Sequence, residues 1–162
     1  SIERGYFPSL TERGETFVAY VDHGYWIDIG TPEKYVQVHR DMFDGRLTAG
    51  VFATADRQAP MVSPEARVDE GATLTAPCFV DAGAHIKSGA VVGPYAVVGR
   101  GVVVEEGAEL RNVIVWPNTR IGPNAVLDGP VLGRNCHIGR NVTITGPAVI
   151  GDKTALTDYT HT

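Results

Sequence analysis

Three histidines are the side chains in this sequence with the plainest capacity for proton transfer. His85 and His137 each directly precede an isoleucine, and His161 lies close to the end of the chain. An imidazole titrates near neutral pH and can take a proton from an acceptor group, as acyl transfer requires. The same positions also fit three imidazoles on a solvated surface. The choice between these interpretations depends on the elements that carry the histidines.

The two cysteines offer a disulfide or a reactive thiol as further possibilities. Cys78 and Cys136 both occupy the small inward position of the six-residue repeat described next. Counting along that repeat places them on different faces of the fold and about three coils, or roughly 15 Å, apart. A disulfide requires Cα atoms within about 7 Å of each other. We therefore expect two separate buried thiols.

Aliphatic residues recur at steps of six residues, and twice of five, from position 68 onward. These anchors are Val68, Leu74, Val80, Ile86, Val92, Val98, Val104, Leu110, Val115, Ile121, Leu127, Leu132, Ile138, Ile144, Ile150 and Leu156. Four positions after each anchor we expect a second inward residue, including Ile114 and Val131 after Leu110 and Leu127. The third position after an anchor is often Gly or Asn, which tolerate positive φ and indicate a corner. Two inward positions in six fit neither an amphipathic helix nor simple strand alternation.

Each hexapeptide is therefore predicted to be a short strand followed by a corner. Three such faces close a prism, and the anchors give about five coils in a rod roughly 26 Å tall. The repeat resembles the left-handed parallel β-helix of hexapeptide-repeat proteins, and the left hand is implied by that resemblance. A β-sandwich is the alternative, but it would need a hairpin turn every 8–12 residues or so. We predict a mostly β chain.

The repeat defines the domain organisation. Residues 67–162 form the predicted β-helix, residues 54–66 a polar linker with two prolines, and residues 1–53 a small α+β segment without the repeat. So short a segment makes a poor independent core, so it is typical of the end of a larger domain.

Within residues 1–53 the sequence predicts a hairpin followed by one helix. Thr16 to Val21 and Tyr25 to Ile29 are expected to be its two strands, joined by a tight turn. Thr31 is a plausible N-cap, Pro32 fits the first helical position, and Gly45 stands just past the expected end.

Composition excludes several classes of partner. The 162 residues carry a net charge of −5 without a run of Lys or Arg, so there is no electrostatic footprint for nucleic acid or an anionic membrane. No apolar stretch approaches the length of a membrane-spanning helix. We expect a soluble cytoplasmic protein.

Three segments resemble the sugar-1-phosphate nucleotidyltransferases, and most of all the bacterial mannose-1-phosphate guanylyltransferases. They are Tyr25-Trp26-Ile27-Asp28-Ile29-Gly30-Thr31-Pro32-Glu33-Lys34-Tyr35, Ile2-Glu3-Arg4-Gly5-Tyr6-Phe7-Pro8 and Val113-Ile114-Val115-Trp116-Pro117-Asn118-Thr119. In that family a Rossmann-like catalytic domain precedes a β-helix. The resemblance extends over essentially the whole chain.

The resemblance implies a reaction in which a sugar 1-phosphate attacks the α-phosphate of a nucleoside triphosphate and releases pyrophosphate, assisted by Mg²⁺. Asp28 matches the family's second metal-binding aspartate, and a place beside a helix N-terminus suits a carboxylate that meets Mg²⁺ and phosphate. The alternative is that Asp28 accepts hydrogen bonds from the amides of Gly30 and Thr31. Within this chain alone, the turn role is the expectation.

The other parts that this chemistry demands do not occur in the sequence. No Gly-x-Gly cluster with a following basic residue precedes Val68, so no loop can cradle a triphosphate. We assign no catalytic residue, expect no cofactor on this chain alone, and predict that it forms no nucleotide sugar by itself.

Two alternatives remain open. A hexapeptide-repeat acyltransferase would use one of the three histidines, although the repeat has deletions and lacks the extruded loop that such a resemblance implies. A non-catalytic scaffold would assemble subunits, and exposed aliphatic side chains on the prism favour a homo-oligomer, a dimer or a trimer. The interface candidates are Val91, Val97, Val103, Leu110, Val126 and Trp116.

Overall fold

The larger part of the chain is a three-sided solenoid of parallel β-strands. The computed structural model describes residues 1–50 and 56–161. Each strand pairs in parallel with the strand three positions later in the chain, so that every third strand belongs to the same sheet. About five turns stack in this way, which confirms the predicted parallel solenoid with one sheet on each face.

The strands are short and fall into three sheets. Sheet A contains β1 Met61–Val62, β4 Cys78–Val80, β7 Ala96–Val98, β10 Ile114–Val115, β13 Val131–Leu132 and β16 Val149–Ile150. Sheet B contains β2 Arg67–Val68, β5 His85–Ile86, β8 Val103–Val104, β11 Arg120–Ile121, β14 His137–Ile138 and β17 Ala155–Leu156. Sheet C contains β3 Thr73–Leu74, β6 Val91–Val92, β9 Glu109–Arg111, β12 Val126–Asp128 and β15 Thr143–Thr145.

The anchors from Val80 to Ile144 form the core because the strand register stacks them above one another, whereas Val68 in the first coil is 37% exposed. Val104 pairs with Ile86 on one side and with Ile121 on the other, and all three side chains are fully buried. Corners close each coil at residues with positive φ, such as Gly107 at 69° and Asn124 at 55°. The predicted combination of inward aliphatics and permissive corners is confirmed.

Two residues predicted to face inward point outward instead. In the paired strands of sheet A, Ile114 stands opposite Val97 and Val115 opposite the core residue Val98, so Ile114 must face out. Val113 takes the inward place in that coil. Val131 pairs with Ile114 and faces outward for the same reason. Where the step between anchors is five, the third residue after the anchor turns inward rather than the fourth.

The solenoid begins earlier than the predicted boundary at residue 67. Strand β1 at Met61–Val62 pairs with Phe79 and Val80, so part of the expected linker 54–66 belongs to the first coil. The prolines at 60 and 64 flank this strand rather than interrupt it. Residues 51–55, at the end of the predicted N-terminal segment and the start of the linker, lie outside the described residues.

The N-terminal segment contains helices where the sequence predicted a hairpin. A π-helical turn at Ile2–Tyr6 leads into α1 at Phe7–Glu12, and α2 follows at Pro32–Phe43. No strand forms between residues 13 and 31, so the predicted hairpin is wrong. A two-stranded hairpin is marginal in water without a packed face. Most of the large apolar side chains that would build such a face are exposed here.

The start and the end of α2 are as predicted. The Thr31 hydroxyl accepts a hydrogen bond from the Lys34 amide at 3.3 Å, with Pro32 at the first helical position. Gly45 follows the helix with φ of 79°. No helix in the described ranges is long and apolar enough to cross a membrane.

Candidate functional site

Asp28 lies on the surface in the irregular segment that leads into α2. Its carboxylate accepts no hydrogen bond from the amides of Gly30 or Thr31, so the turn role expected from the sequence is wrong. Within residues 1–50 and 56–161, no three His, Cys, Asp or Glu side chains are grouped so as to hold a metal ion. Mg²⁺ commonly takes one or two carboxylates together with substrate phosphates. Asp28 therefore fits a magnesium site only as one ligand among others that this segment does not supply.

Asp41 on α2 holds the segment that carries Asp28. The Tyr25 hydroxyl donates a hydrogen bond to Asp41 Oδ2 at 2.7 Å, and Gln37 Nε2 and Arg46 Nη1 donate to Oδ1 at 2.8 and 2.9 Å. Asp41 is 6% exposed. The hydrogen bond from Tyr25, followed by those from Gln37 and Arg46, lowers the pKa of Asp41 below its usual value and keeps the carboxylate ionised. No local pattern in the sequence indicates this pair, because the two residues are 16 positions apart and lie in different elements.

The first turn of α2 is attached to the solenoid through an aromatic pair. Trp116 Nε1 donates to the Tyr35 hydroxyl at 3.0 Å, and the two rings meet edge to face with centroids 6.2 Å apart. The Arg134 guanidinium lies over the indole, 4.9 Å from its centroid. Burial raises the pKa of Tyr35. Trp116, predicted as a subunit contact, is thus engaged with a helix of its own chain.

The second half of α2 contacts the corner between sheets C and A. Arg40 Nη2 donates to Asn112 Oδ1 at 3.0 Å, and the Tyr95 hydroxyl donates to Asp44 Oδ1 at 2.9 Å. The Phe43 ring packs edge to face on Tyr95 at 6.1 Å. These contacts cover the middle of the outward side of sheet A, where Ile114 and Val131 are buried although they lie outside the solenoid core, whereas Val149 at the end of the same sheet is 60% exposed.

Grooves flank α2 on both sides. One, of about 590 Å³, runs between the helix and the corner after sheet C and is lined by Val36, Gln37 and Val149 among others. The other groove, of about 310 Å³, is lined by Tyr35 and His39 of α2 on one side and by residues of sheet A on the other. Both grooves combine apolar walls with a few polar groups.

The aliphatic interface candidates do not form one patch. Val91, Val97 and Val103 face outward from sheets C, A and B respectively, because each directly precedes a core anchor. Val126 shares sheet C with Val91. Leu110 is fully buried in the core, so its assignment to the outer surface was wrong. The interface role of the other residues stays a prediction.

The structure does not bring the three histidines together. His85 Nε2 lies 2.9 Å from Asp69 Oδ2, and Arg67 donates to the other oxygen of that carboxylate at 2.8 Å. His137 is exposed on sheet B, three strands from His85, and His161 is exposed beside sheet C. His85 is thus partnered, while the other two are solvated.

Sheet B also carries an ion network around a buried carboxylate. Glu105 is 3% exposed and contacts Lys87 Nζ at 2.5 Å and Arg120 Nη2 at 2.6 Å. Hydrogen bonds to Glu105 and then to Glu106 raise the pKa of Lys87 above its usual value. Opposite charges are therefore paired along this face, which makes it unlike an apolar docking surface.

The cysteines are two separate buried thiols, as predicted. Cys78 lies in strand β4 of sheet A and Cys136 directly before β14 of sheet B, and both are free. Burial raises the pKa of the Cys78 thiol to about 11. A thiol that stays protonated at neutral pH is a poor nucleophile.

Similarity to known proteins agrees with this architecture. Over residues 74–161 the chain matches the family model described as the GMPPB C-terminal domain. It is 35% identical to the mannose-1-phosphate guanyltransferase of Yarrowia lipolytica, over 99% of this chain and 41% of that protein. It is 31% identical to the glucose-1-phosphate adenylyltransferase of Corynebacterium jeikeium, over 89% of this chain and 37% of that protein. The chain thus spans about two fifths of the length of these relatives.

Among solved structures, the acetyltransferase domain of PglB from Neisseria gonorrhoeae matches with a TM-score of 0.41 and 19% identity, over 75% of this chain and 63% of that one. A likeness of that size supports no functional inference. The family match covers more than half of the chain and includes nearly all of the solenoid. The chain therefore belongs to the GMPPB C-terminal domain family and corresponds to the C-terminal part of sugar-1-phosphate nucleotidyltransferases.

Proposed function

We propose that this chain is the C-terminal portion of an enzyme that converts GTP and mannose 1-phosphate into GDP-mannose and pyrophosphate. In that reaction a phosphate oxygen of the sugar phosphate attacks the α-phosphorus of GTP, and the bond between the α-phosphorus and the bridging oxygen breaks. Asp28 would supply one carboxylate to a Mg²⁺ ion that also binds substrate phosphates. That ion offsets the negative charge of the reacting phosphates.

The observation that carries this proposal is the position of the Trp26-to-Pro32 motif. The motif leads directly into α2, and α2 is packed against the solenoid through Tyr35 and Trp116. The exposed segment that carries Asp28 therefore adjoins the helix that contacts the solenoid. In this proposal a catalytic body meets the scaffold at that segment.

An unusual concentration of exposed apolar side chains marks the same region. Eight large apolar side chains between residues 1 and 29 are more than half exposed, and monomeric soluble proteins rarely expose so much apolar surface in one region. They are Ile2, Tyr6, Phe17, Val18, Tyr20, Val21, Trp26 and Ile29. We infer that a catalytic body covers them in the intact enzyme.

The choice of mannose and guanine rests on the relatives named mannose-1-phosphate guanyltransferase, whereas another relative is named glucose-1-phosphate adenylyltransferase. The test is to express the reading frame together with the coding sequence upstream of Ser1. Pyrophosphate release is then measured with GTP and mannose 1-phosphate, and with ATP and glucose 1-phosphate. We expect turnover with the first pair. Turnover with the second pair alone would transfer the assignment to adenylyl transfer, and a folded protein without either activity would favour the scaffold alternative.

The role of Asp28 has a matched control in the same segment. Asp28→Asn should lower the rate by about 100-fold or more, because a metal carboxylate contributes several kcal/mol to the transition state. Asp22→Asn should leave the rate unchanged, since Asp22 is an exposed aspartate outside the motif. Equal rates for both variants would contradict the metal role. The chain of 162 residues alone is expected to release no pyrophosphate.

The solenoid is proposed to assemble subunits, in a dimer or a trimer. Part of sheet A is covered by α2 and sheet B carries several paired charges, whereas on sheet C the outward Val91 and Val126 flank one ion pair, that of Glu109 with Arg111. Val126→Arg should therefore lower the mass measured by light scattering, while Val103→Arg on sheet B should not. A wild-type mass of 17.4 kDa at micromolar concentration would contradict the assembly. The cytoplasmic location expected from the sequence stays a prediction.

A further inference from the structure

The loop that carries Asp28 is fastened to α2 at both ends. At its start the Tyr25 hydroxyl donates to Asp41 in the third turn of the helix, at 2.7 Å. At its end the Thr31 hydroxyl caps the first turn by accepting from the Lys34 amide. Asp28 stands midway, three residues from Tyr25 and three from Thr31.

The first of these two attachments has no second hydrogen bond to replace it. Within residues 1–50 and 56–161, Tyr25 makes the one hydrogen bond that joins residues 16–30 to the rest of the chain, and the other contact is that of the Phe17 ring with Phe7 of α1, with centroids 5.2 Å apart. No helix or strand forms in that stretch. Without the Tyr25 contact, no hydrogen bond among the described residues would hold residues 16–30 in place, and fixing their dihedral angles would carry an uncompensated entropy cost.

The carboxylate of Asp41, which accepts the hydrogen bond from Tyr25, is already oriented by other residues. Asp41 is held in place by Gln37 and Arg46 on its other carboxylate oxygen, so the oxygen that faces Tyr25 is oriented before the hydroxyl binds. The backbone carbonyl of Asp41 also accepts from the amides of Arg46 and Leu47, at 2.8 and 3.1 Å. A charged acceptor that is already oriented forms the stronger class of hydrogen bond.

The helix and the residue that follows it are fixed to the solenoid at three places. Tyr35, Arg40 and Asp44 each make a polar contact with a solenoid residue, at 3.0, 3.0 and 2.9 Å. The position of Asp41 is therefore set by the solenoid and not by the loop. Because Asp41 is held by the solenoid through α2, a group that is hydrogen-bonded to Asp41 is also positioned relative to the solenoid.

We propose that Tyr25 and Asp41 are positioning residues, whose hydrogen bond closes the loop 25–31 on α2 and thereby fixes Asp28 relative to the solenoid. The catalytic meaning of this placement rests on the function proposed above for Asp28. The closure of the loop does not, because it is a property of this chain in the absence of any substrate.

The test uses backbone order parameters from ¹⁵N relaxation of the complete 162-residue chain. Tyr25→Phe keeps the ring and removes only the hydroxyl, and Tyr20→Phe is the matched control, since Tyr20 is 91% exposed. In the wild type and the control, residues 26–29 should show order parameters near the rigid value of about 0.85. In Tyr25→Phe they should fall below about 0.6. Unchanged order in Tyr25→Phe would overturn the proposal.

Two further results make the test specific. Order in α2 should persist in Tyr25→Phe, because the helix keeps its solenoid contacts, and a loss there would show that the hydroxyl supports the helix rather than the loop. Adding Asp41→Asn to Tyr25→Phe should loosen residues 26–29 no further, because Asp41 acts on the loop through this hydroxyl. An additional loss of order in the double variant would overturn the pairing.

These measurements separate the two proposals. A closed loop in a protein that fails to make nucleotide sugar would leave the positioning inference intact and remove the function. If the intact enzyme forms nucleotide sugar and Tyr25→Phe does not change the order parameters of residues 26–29, the proposed function stands and the positioning inference is refuted.

Discussion

The division of each strand into an inward and an outward residue can be tested within a single strand. Strand β8 places Val104 in the core with no exposed surface and Val103 on the outside of sheet B. Truncating either valine to alanine removes the same two carbons from neighbouring positions of the same strand. The comparison therefore isolates the direction in which the side chain points.

The expected magnitudes follow from burial. Removing two fully buried carbons at about 0.8 kcal/mol each loses roughly 1.6 kcal/mol of transfer free energy. The cavity left between Ile86 and Ile121 raises the cost of Val104→Ala to roughly 2–3 kcal/mol. Val103→Ala removes carbons that are already partly in water and leaves no cavity, so its cost is about half of the transfer value. The lower strand propensity of alanine applies to both variants and cancels in the difference.

Urea unfolding followed by circular dichroism measures this difference. With a slope of about 2 kcal/mol/M, a gap of roughly 1.5 kcal/mol separates the two midpoints by about 0.7 M urea. Val104→Ala should unfold at the lower concentration. Equal midpoints, or a lower midpoint for Val103→Ala, would refute the register, because a slip of one residue exchanges the two faces of a strand.

Three other variants test the contacts around the solenoid. Ile114→Ala should weaken the docking of α2 by roughly 2–3 kcal/mol, because this outward residue is only 3% exposed; amide exchange should accelerate in α2 and not in the sheets. Glu105→Gln should lower the pKa of Lys87 toward its usual value, because its main hydrogen-bonding partner is lost; an NMR titration of the lysine measures this. The pKa of Asp41 is lowered on folding, so the stabilisation is complete above its usual value of 3.8 and is lost as the pH falls through the folded pKa. Asp41→Asn should flatten the dependence of the urea midpoint on pH in this acidic range.

The repeat could be predicted because its physical signature is redundant. Every coil repeats the same inward aliphatics, so an error at one position leaves the pattern recognisable. Corners are marked independently by residues such as Gly107 and Asn124, which take positive φ. The start and the end of α2 were equally predictable, since a cap and a terminal glycine are local signals.

The segment before α2 could not be predicted in this way. Runs of aromatic and β-branched residues between positions 16 and 29 satisfy a strand pattern, but a strand also needs a partner that local sequence does not reveal. The Tyr25–Asp41 contact is equally hidden, because a phenol and a carboxylate 16 residues apart are common in any chain. What decides the conformation here is the docking of α2 on the solenoid, which is a tertiary property.

The two irregular steps of the repeat connect these parts. Both five-residue steps fall at the corner between sheets C and A, before strands β10 and β13. Shortening that corner moves the inward place from the fourth to the third residue after the anchor, which is Val113, while Ile114 and Val131 stand outward as the residue before every anchor does. It also places Asn112 at the corner, where its side chain receives Arg40 of α2 and donates to Asp128 at 2.8 Å. The helix therefore contacts a shortened corner through Asn112 and a regular six-residue corner through Tyr95, so it packs on this side of the solenoid whether or not the step is shortened.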